Sequence, residues 1–196
     1  MKLYLTPGAC SLAAHIALHE AGIDFDRITV DLRAKRTEDG ADFTSLNPKG
    51  YVPTLVLDDG STLTENVALL DWIAQRSGKP LPGGELGRTR LLEMLAFIST
   101  EVHKQFGRLF FPTSDAEKTA ALDKVAQRLQ YLAGQLKGDY LFGNEMSVAD
   151  AYLYVMLRWA DGKGATVPAA LQTYRQRLEA RPAVQLALRH EGLDAK

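Results

Sequence analysis

A single cysteine among 196 residues rules out an internal disulfide, so the fold must rest on packing, and a reducing cytoplasm is the compartment that suits it. Any redox chemistry at that thiol would need a partner from outside the chain. Excess charge of one sign is missing too. The 23 Lys and Arg against 24 Asp and Glu leave a formal charge of -1, with no footprint for nucleic acid or an anionic membrane. No apolar run approaches the roughly 18 residues of a membrane span. The first residues turn at Pro7-Gly8 instead of running on as the apolar core of a secretory signal. Internal repeats and low-complexity tracts are also absent. What remains is ordinary globular material, 46% hydrophobic and 24% charged, long enough for one large domain or two small ones.

Lys2 to Leu5 reads as a short strand, Thr6-Pro7-Gly8 as a turn, and Ser11 as the entry to a helix that Gly22 closes. Asp26 to Val30 reads as a second strand, parallel to the first across the helix. The stretch from Asp31 to Leu46 is polar and irregular, with a short helix near Phe43. Thr54–Leu57 and Thr62-Leu63 are strands around Asp58-Asp59-Gly60, a hairpin signal. Thr64 then stands as N-cap of a helix from Glu65 to about Gln75. The order βαβ followed by ββα is that of a thioredoxin-like domain over residues 1–77.

Ser77-Gly-Lys-Pro-Leu-Pro-Gly-Gly84 can hold neither helix nor strand, which makes 78–85 a linker. From 86 to 196 every segment has helical period, so the second domain is all-α. Leu91, Leu95, Ile98, Val102 and Leu109 form one apolar stripe; Ala96, Thr100, His103 and Gly107 share another face, small or polar, suited to lining a cleft toward the first domain. The stripe suits a dimer surface and core packing equally. Ser114 with Glu117 and Ser147 with Asp150 have capping-box spacing. The helix opened by the second box is apolar nearly all round and belongs at the centre, with Asp150 a structural residue. Two shorter helices follow, near Pro168–Ala180 and from Pro182.

Cys10 falls where a strand gives way to the first turn of a helix. The dipole and unpaired N–H groups there favour an anion and can draw a thiol down to roughly 3.5–7.5. The same residue can equally be a small buried hydrophobe. His15 and His19 have the i, i+4 spacing of a metal pair, but the sequence offers no third ligand, and a satisfied or solvated helix explains them; no metal is expected.

The motifs T-P-G-A-C-S-L, N-P-K-G-Y-V-P, L-T-E-N and E-V-H-K, in this order and with the two-domain layout, resemble the cytosolic glutathione transferases, in particular the bacterial beta class. The resemblance runs the length of the chain. It implies a glutathione-binding thioredoxin-like domain and a helical domain that forms the electrophile site and part of a homodimer interface. Glutathione is then a co-substrate, with no tightly bound cofactor, and the second substrate a small hydrophobic electrophile. It places Cys10, with Ala9 and Ser11 beside it, at the glutathione sulfur. Ala13 stands where a dithiol oxidoreductase would carry a second cysteine, so the chemistry is monothiol. Ser11 and Tyr4 are rival hydroxyls, otherwise a helix cap and a strand core residue.

The resemblance further implies a cis bond between Val52 and Pro53, facing the cysteinyl part of the ligand. Glu65 and Asn66 would take the γ-glutamyl ammonium and carboxylate, and Lys35 the glycyl carboxylate. Asn66 and Ala96 depart from the common family pattern of Ser and Asn. His103 would assist proton handling as a catalytic partner to Cys10, with Thr100, Glu101, Val102 and Lys104 as site walls. Trp159 either reaches the electrophile or packs in the core. Two other activities remain open: a glutaredoxin-like thiol–disulfide reductase, and a non-catalytic binder of glutathione or apolar ligands.

Overall fold

A computed structural model describes residues 1–79 and 84–193. The chain divides into two compact units, one made of residues up to 80 together with those from 181 on, the other of the residues between. The linker expected at 78–85 lies partly outside the described residues.

The first unit is built on a mixed five-stranded sheet. Strands β1 (Lys2–Leu5), β2 (Asp26–Asp31), β3 (Arg36–Thr37), β4 (Thr54–Val56) and β5 (Thr62–Thr64) lie in the order β3-β2-β1-β4-β5. β1 and β2 pair in parallel, with Leu3 opposite Arg27; β4 runs antiparallel to β1, and β5 to β4. The two-residue β3, antiparallel to β2, was not foreseen in the irregular stretch, because two polar residues carry no alternation to read. Helices α1 (Leu12–Ala21), α2 (Phe43–Leu46) and α3 (Asn66–Arg76) follow the expected order. Gly22 ends α1 at φ 64, in the left-handed conformation glycine adopts without strain.

Leu3 and Leu5 share one face of β1 and are buried; α1 is itself buried from Leu12 through Leu18 and packs against α3. Each such leucine contributes about 1.5–3 kcal/mol of hydrophobic stabilisation. The last helix, α9 (Pro182–His190), also packs on α1, so residues assigned by sequence to the helical half belong with the sheet. Two polar ties accompany its buried Val184, Ala187 and Leu188. The Arg181 guanidinium grips both Glu20 oxygens at 2.6 and 2.7 Å, and Glu191 meets His15 at 2.7 Å. Helical period alone could not show which partner α9 covers.

The second unit holds α4 (Gly87–Phe97), α5 (Lys104–Phe110), α6 (Asp115–Ala133), α7 (Val148–Lys163) and α8 (Ala169–Glu179). Between α4 and α5 the chain widens into a π-helical turn over Ile98–His103, with the Lys104 N–H bonded to the Ser99 carbonyl. Such turns are rare and often sit at functional sites. The stripe Leu91, Leu95, Ile98, Val102 and Leu109 is buried within this unit, joined by Phe106. As expected, α7 is buried almost throughout, from Ala149 to Leu157.

Its Asp150 carboxylate accepts from the Ser147 N–H and hydroxyl, the Leu141 N–H and the Tyr174 hydroxyl. The first box differs from the expected pattern. Ser114 accepts from the Glu117 N–H, but the Glu117 carboxylate turns outward to the N–H and hydroxyl of Thr113. Among the described residues no helix is long and apolar enough to cross a membrane.

Candidate active site

The turn after β1 is fastened from within. Ser11 Oγ accepts the Thr6 N–H at 3.2 Å and lies 3.4 Å from the Thr6 carbonyl, with its side chain fully buried. Ser11 therefore does not cap α1, as its residue type suggested; its hydroxyl closes the turn that carries Cys10. Ala9 and Tyr4 pack against the buried cluster of Val30, Phe43 and Val52, with the Tyr4 and Phe43 rings stacked 5.9 Å apart. Tyr4 is thus partly buried, packed against this cluster.

Cys10 Sγ donates to the Val52 carbonyl oxygen at 3.4 Å, and the Val52–Pro53 peptide is cis. From the other side the Asn66 Nδ2 amide donates to the Cys10 carbonyl at 3.0 Å. Three separate stretches, the β1–α1 turn, the entry to β4 and the start of α3, thereby meet at one cysteine. Burial pushes that thiol up to about 12, against the pull of the Cys10 and Ser11 N–H groups, while the Glu65 carboxylate adds to the rise and the Asn66 amide opposes it. Of the two readings the sequence left open, a thiol activated by the helix terminus and a small buried hydrophobe, the resting state is nearer the second: desolvation outweighs the helix terminus.

Glu65 precedes α3 at φ 71, in a region non-glycine residues seldom occupy, at a strain of about 1–3 kcal/mol. The helix starts one residue later than expected, with Glu65 rather than Thr64 at the cap position. Glu65 Oε1 accepts from Lys49 Nζ and the Tyr51 hydroxyl, each at 2.6 Å, and these donors hold the carboxyl below its usual range. Lys49 and Tyr51 were missed as partners because fourteen or more residues separate them from Glu65. The Asn66 side chain is tied to the thiol-bearing turn: its amide donates to the Cys10 carbonyl, and its buried Oδ1 has no hydrogen-bond partner. Lys35, at φ 56, places its ammonium 2.6 Å from the Gly50 carbonyl.

In the second unit the π-helical turn and α5 open a pocket of about 260 Å³, lined by Ser99, His103, Lys104, Gly107, Phe110 and Trp159. The Trp159 ring stands edge-on to His103, Phe106 and Phe110 at 5.1, 5.4 and 5.0 Å, so it is both packed and presented to the pocket. His103 Nδ1 lies 2.6 Å from the Tyr152 hydroxyl, and burial lowers its pKa to about 4, leaving a neutral ring. Tyr152 was readable in part: a buried tyrosine needs a partner for its hydroxyl.

Of the expected wall residues only Lys104 lines this pocket. Thr100 donates back to the Ala96 carbonyl at 2.9 Å, Glu101 pairs with Arg128 at 2.6 Å, and Val102 is fully buried, so its side chain is core.

Two family descriptions match the chain: the glutathione S-transferase N-terminal domain over residues 8–76 and the C-terminal domain over 92–182. Glutathione S-transferase GstA of Escherichia coli O157:H7 is 42% identical over 98% of this chain and 100% of its own. A sphingomonad glutathione S-transferase solved in complex with glutathione is 49% identical, with a TM-score of 0.91, covering 99% of this chain and 100% of that one. The bacterial beta class glutathione S-transferase of Sphingomonas chungbukensis is 44% identical with a TM-score of 0.90, over 99% of this chain and 100% of that one.

Proposed function

The chain belongs to the glutathione S-transferase family, and on that premise we propose that it conjugates reduced glutathione to small apolar electrophiles, with Cys10 as hydrogen-bond donor to the glutathione sulfur. The observation that carries this reading is the meeting of the Cys10 thiol with the Val52 carbonyl, 3.4 Å apart. A bound tripeptide satisfies its own backbone by pairing as a strand does, and the backbone at Val52 stands directly beside the thiol.

Because burial keeps Cys10 protonated, its S–H is available to turn from Val52 to a sulfur anion. A donor placed on a developing anion stabilises it and lowers the acidity barrier for the glutathione thiol. The thiolate then forms the C–S bond to the electrophile, whose leaving group departs with the bonding pair.

The γ-glutamyl end is assigned to Glu65 and to the backbone N–H groups that open α3 at Asn66. Glu65 is preset by Lys49 and Tyr51. The glycyl carboxylate is assigned to Lys35, which would leave the Gly50 carbonyl. Electrophile binding is assigned to the aromatic pocket of Phe110 and Trp159, and proton handling to the neutral His103. The division into a glutathione-binding and a helical electrophile-binding domain, the homodimer and the cytoplasmic compartment are parts of the same proposal. The first two rest on family membership and the last on cysteine usage.

One observation favours a second reading, glutathione-dependent thiol–disulfide exchange: the N–H groups of Cys10 and Ser11 both pull the thiol toward its anion. Glutathione calorimetry and aryl-halide conjugation with Cys10→Ser and Cys10→Ala decide between them. Conjugation should fall by roughly 10²-fold in the alanine variant and much less in serine, which keeps a donor. Fast reduction of hydroxyethyl disulfide with poor conjugation would select the second reading. A chain that binds no glutathione would remove both.

A further inference from the structure

Three imidazoles converge where α1 meets α9. The sequence offers only the pair His15 and His19, one turn apart on α1; the fold adds His190, the last residue of α9. One ring nitrogen from each lies within 4.8 Å of the other two. Ring centroids are 5.0 Å apart for His15 and His19, 5.4 Å for His19 and His190, and 5.7 Å for His15 and His190. His15 is fully buried, His19 partly and His190 exposed, so the cluster leads from the core to the surface.

The cluster leaves polar atoms unsatisfied. Nε2 of His15 and Nε2 of His19 are both buried and lack a hydrogen-bond partner. Almost every buried polar atom in a folded protein finds a partner, so two such nitrogens in neighbouring rings point to a ligand between them.

Glu191 fixes the chemistry of the buried member. Its Oε1 lies 2.7 Å from His15 Nδ1, and its Oε2 accepts the Gly8 N–H at 2.8 Å. A carboxylate on Nδ1 holds the ring proton there and leaves the Nε2 lone pair free to coordinate, the tautomer a metal-bound imidazole needs. The charged groups around the cluster are Glu191, Arg27, whose guanidinium donates to the His190 carbonyl, and Arg189. Phe25 closes it with an aromatic ring 5.6 Å from His15 and 5.0 Å from His19.

We propose that His15, His19 and His190 form a binding site for a late first-row divalent cation of the zinc(II) class, with Glu191 as the positioning residue behind His15. Neutral imidazoles suit zinc, nickel and copper far better than the oxygen-seeking calcium or magnesium. Metal–nitrogen bonds of about 2.0–2.1 Å put tetrahedral ligand atoms roughly 3.3 Å apart, so the rings draw inward on binding. His190, exposed at the end of its helix, supplies most of that movement, and water completes the shell. Metal binding would clamp α9 to α1 and, through Glu191, stiffen the Gly8 turn that precedes Cys10. The site stands apart from the transferase chemistry and does not depend on it.

The test uses the full chain without a histidine tag. Zinc is titrated by calorimetry, and cobalt(II) serves as the spectroscopic probe. One metal should bind per chain, with the visible bands of a tetrahedral nitrogen site and no thiolate-to-cobalt charge transfer, and zinc should raise the melting temperature. His190→Gln and His19→Gln should each weaken zinc binding by roughly tenfold or more, and Glu191→Gln by about tenfold. Circular dichroism confirms that the His190 variant folds. Absence of binding in excess zinc, undiminished binding in both histidine variants, or loss of binding in Cys10→Ala would each overturn the proposal.

Discussion

His15 Nδ1 and Glu191 Oε1 meet at 2.7 Å with both side chains sealed from solvent, although 176 residues separate them in the chain. The other Glu191 oxygen holds the Gly8 N–H, so one carboxylate ties the last helix both to α1 and to the turn ahead of Cys10. Removing it takes the carboxylate from the buried His15 ring and breaks the bond to the part-buried Gly8 N–H. Glu191→Ala should lower the unfolding free energy by about 3 kcal/mol, and Glu191→Gln by less, in denaturant titrations. A loss under about 1 kcal/mol in the alanine variant would show that the tie is incidental.

Cys10 should be slow to alkylate. With its thiol pushed up to about 12 by burial, reaction with iodoacetamide in the ligand-free protein should be far slower than for a free thiol near neutrality and should rise tenfold per pH unit past pH 10. Its folded pKa lies above the unfolded one, so the protein gains stability from this group below about pH 8.5 and loses it as pH rises toward 12. Cys10→Ala should remove that alkaline decline. Rapid alkylation at neutral pH would mean that the helix terminus, not desolvation, controls the sulfur.

His103 has the opposite sign. Its folded pKa, about 4, lies below the unfolded value near 6.5, so its contribution is complete above the latter and is lost as pH falls toward the former. His103→Gln should flatten stability over that window. The ring stays neutral at working pH, and the conjugation profile should carry no limb near 6.5 from this residue. Tyr152→Phe, which removes the hydroxyl 2.6 Å from Nδ1, should lower kcat by about tenfold with glutathione affinity unchanged. A changed affinity with kcat intact would refute the assignment.

Trp159→Ala should raise KM for an aryl electrophile by roughly tenfold, the loss of one aromatic wall, with little change for glutathione. Steady-state kinetics with each substrate varied in turn separates the two. An equal rise in both values would assign Trp159 to the fold alone.

Asp150 provides the stability control. Its carboxylate gathers four donors, from Ser147 twice, Leu141 and Tyr174, inside the second unit. Asp150→Ala should cost at least about 3 kcal/mol by denaturation while leaving glutathione affinity of the folded fraction intact.

Residues close in sequence announced themselves. Four of the five strands, the Gly22 stop, the hairpin at Asp58-Asp59-Gly60 and the largely buried helix after Ser147 are local patterns, set by period and turn chemistry. The positions of Cys10 and Pro53 were readable through motif resemblance. Tertiary structure decided what local pattern cannot encode: the Lys49 and Tyr51 grip on Glu65, the internal bond of Ser11, the π-helical turn over Ile98–His103 and the pairing of Glu101 with Arg128. It also decided that Cys10 rests as a thiol and that three histidines share one corner. The reason is common to all of these. Periodicity states how much surface a segment must bury, whereas desolvation and hydrogen-bond partnership depend on which distant segment does the burying.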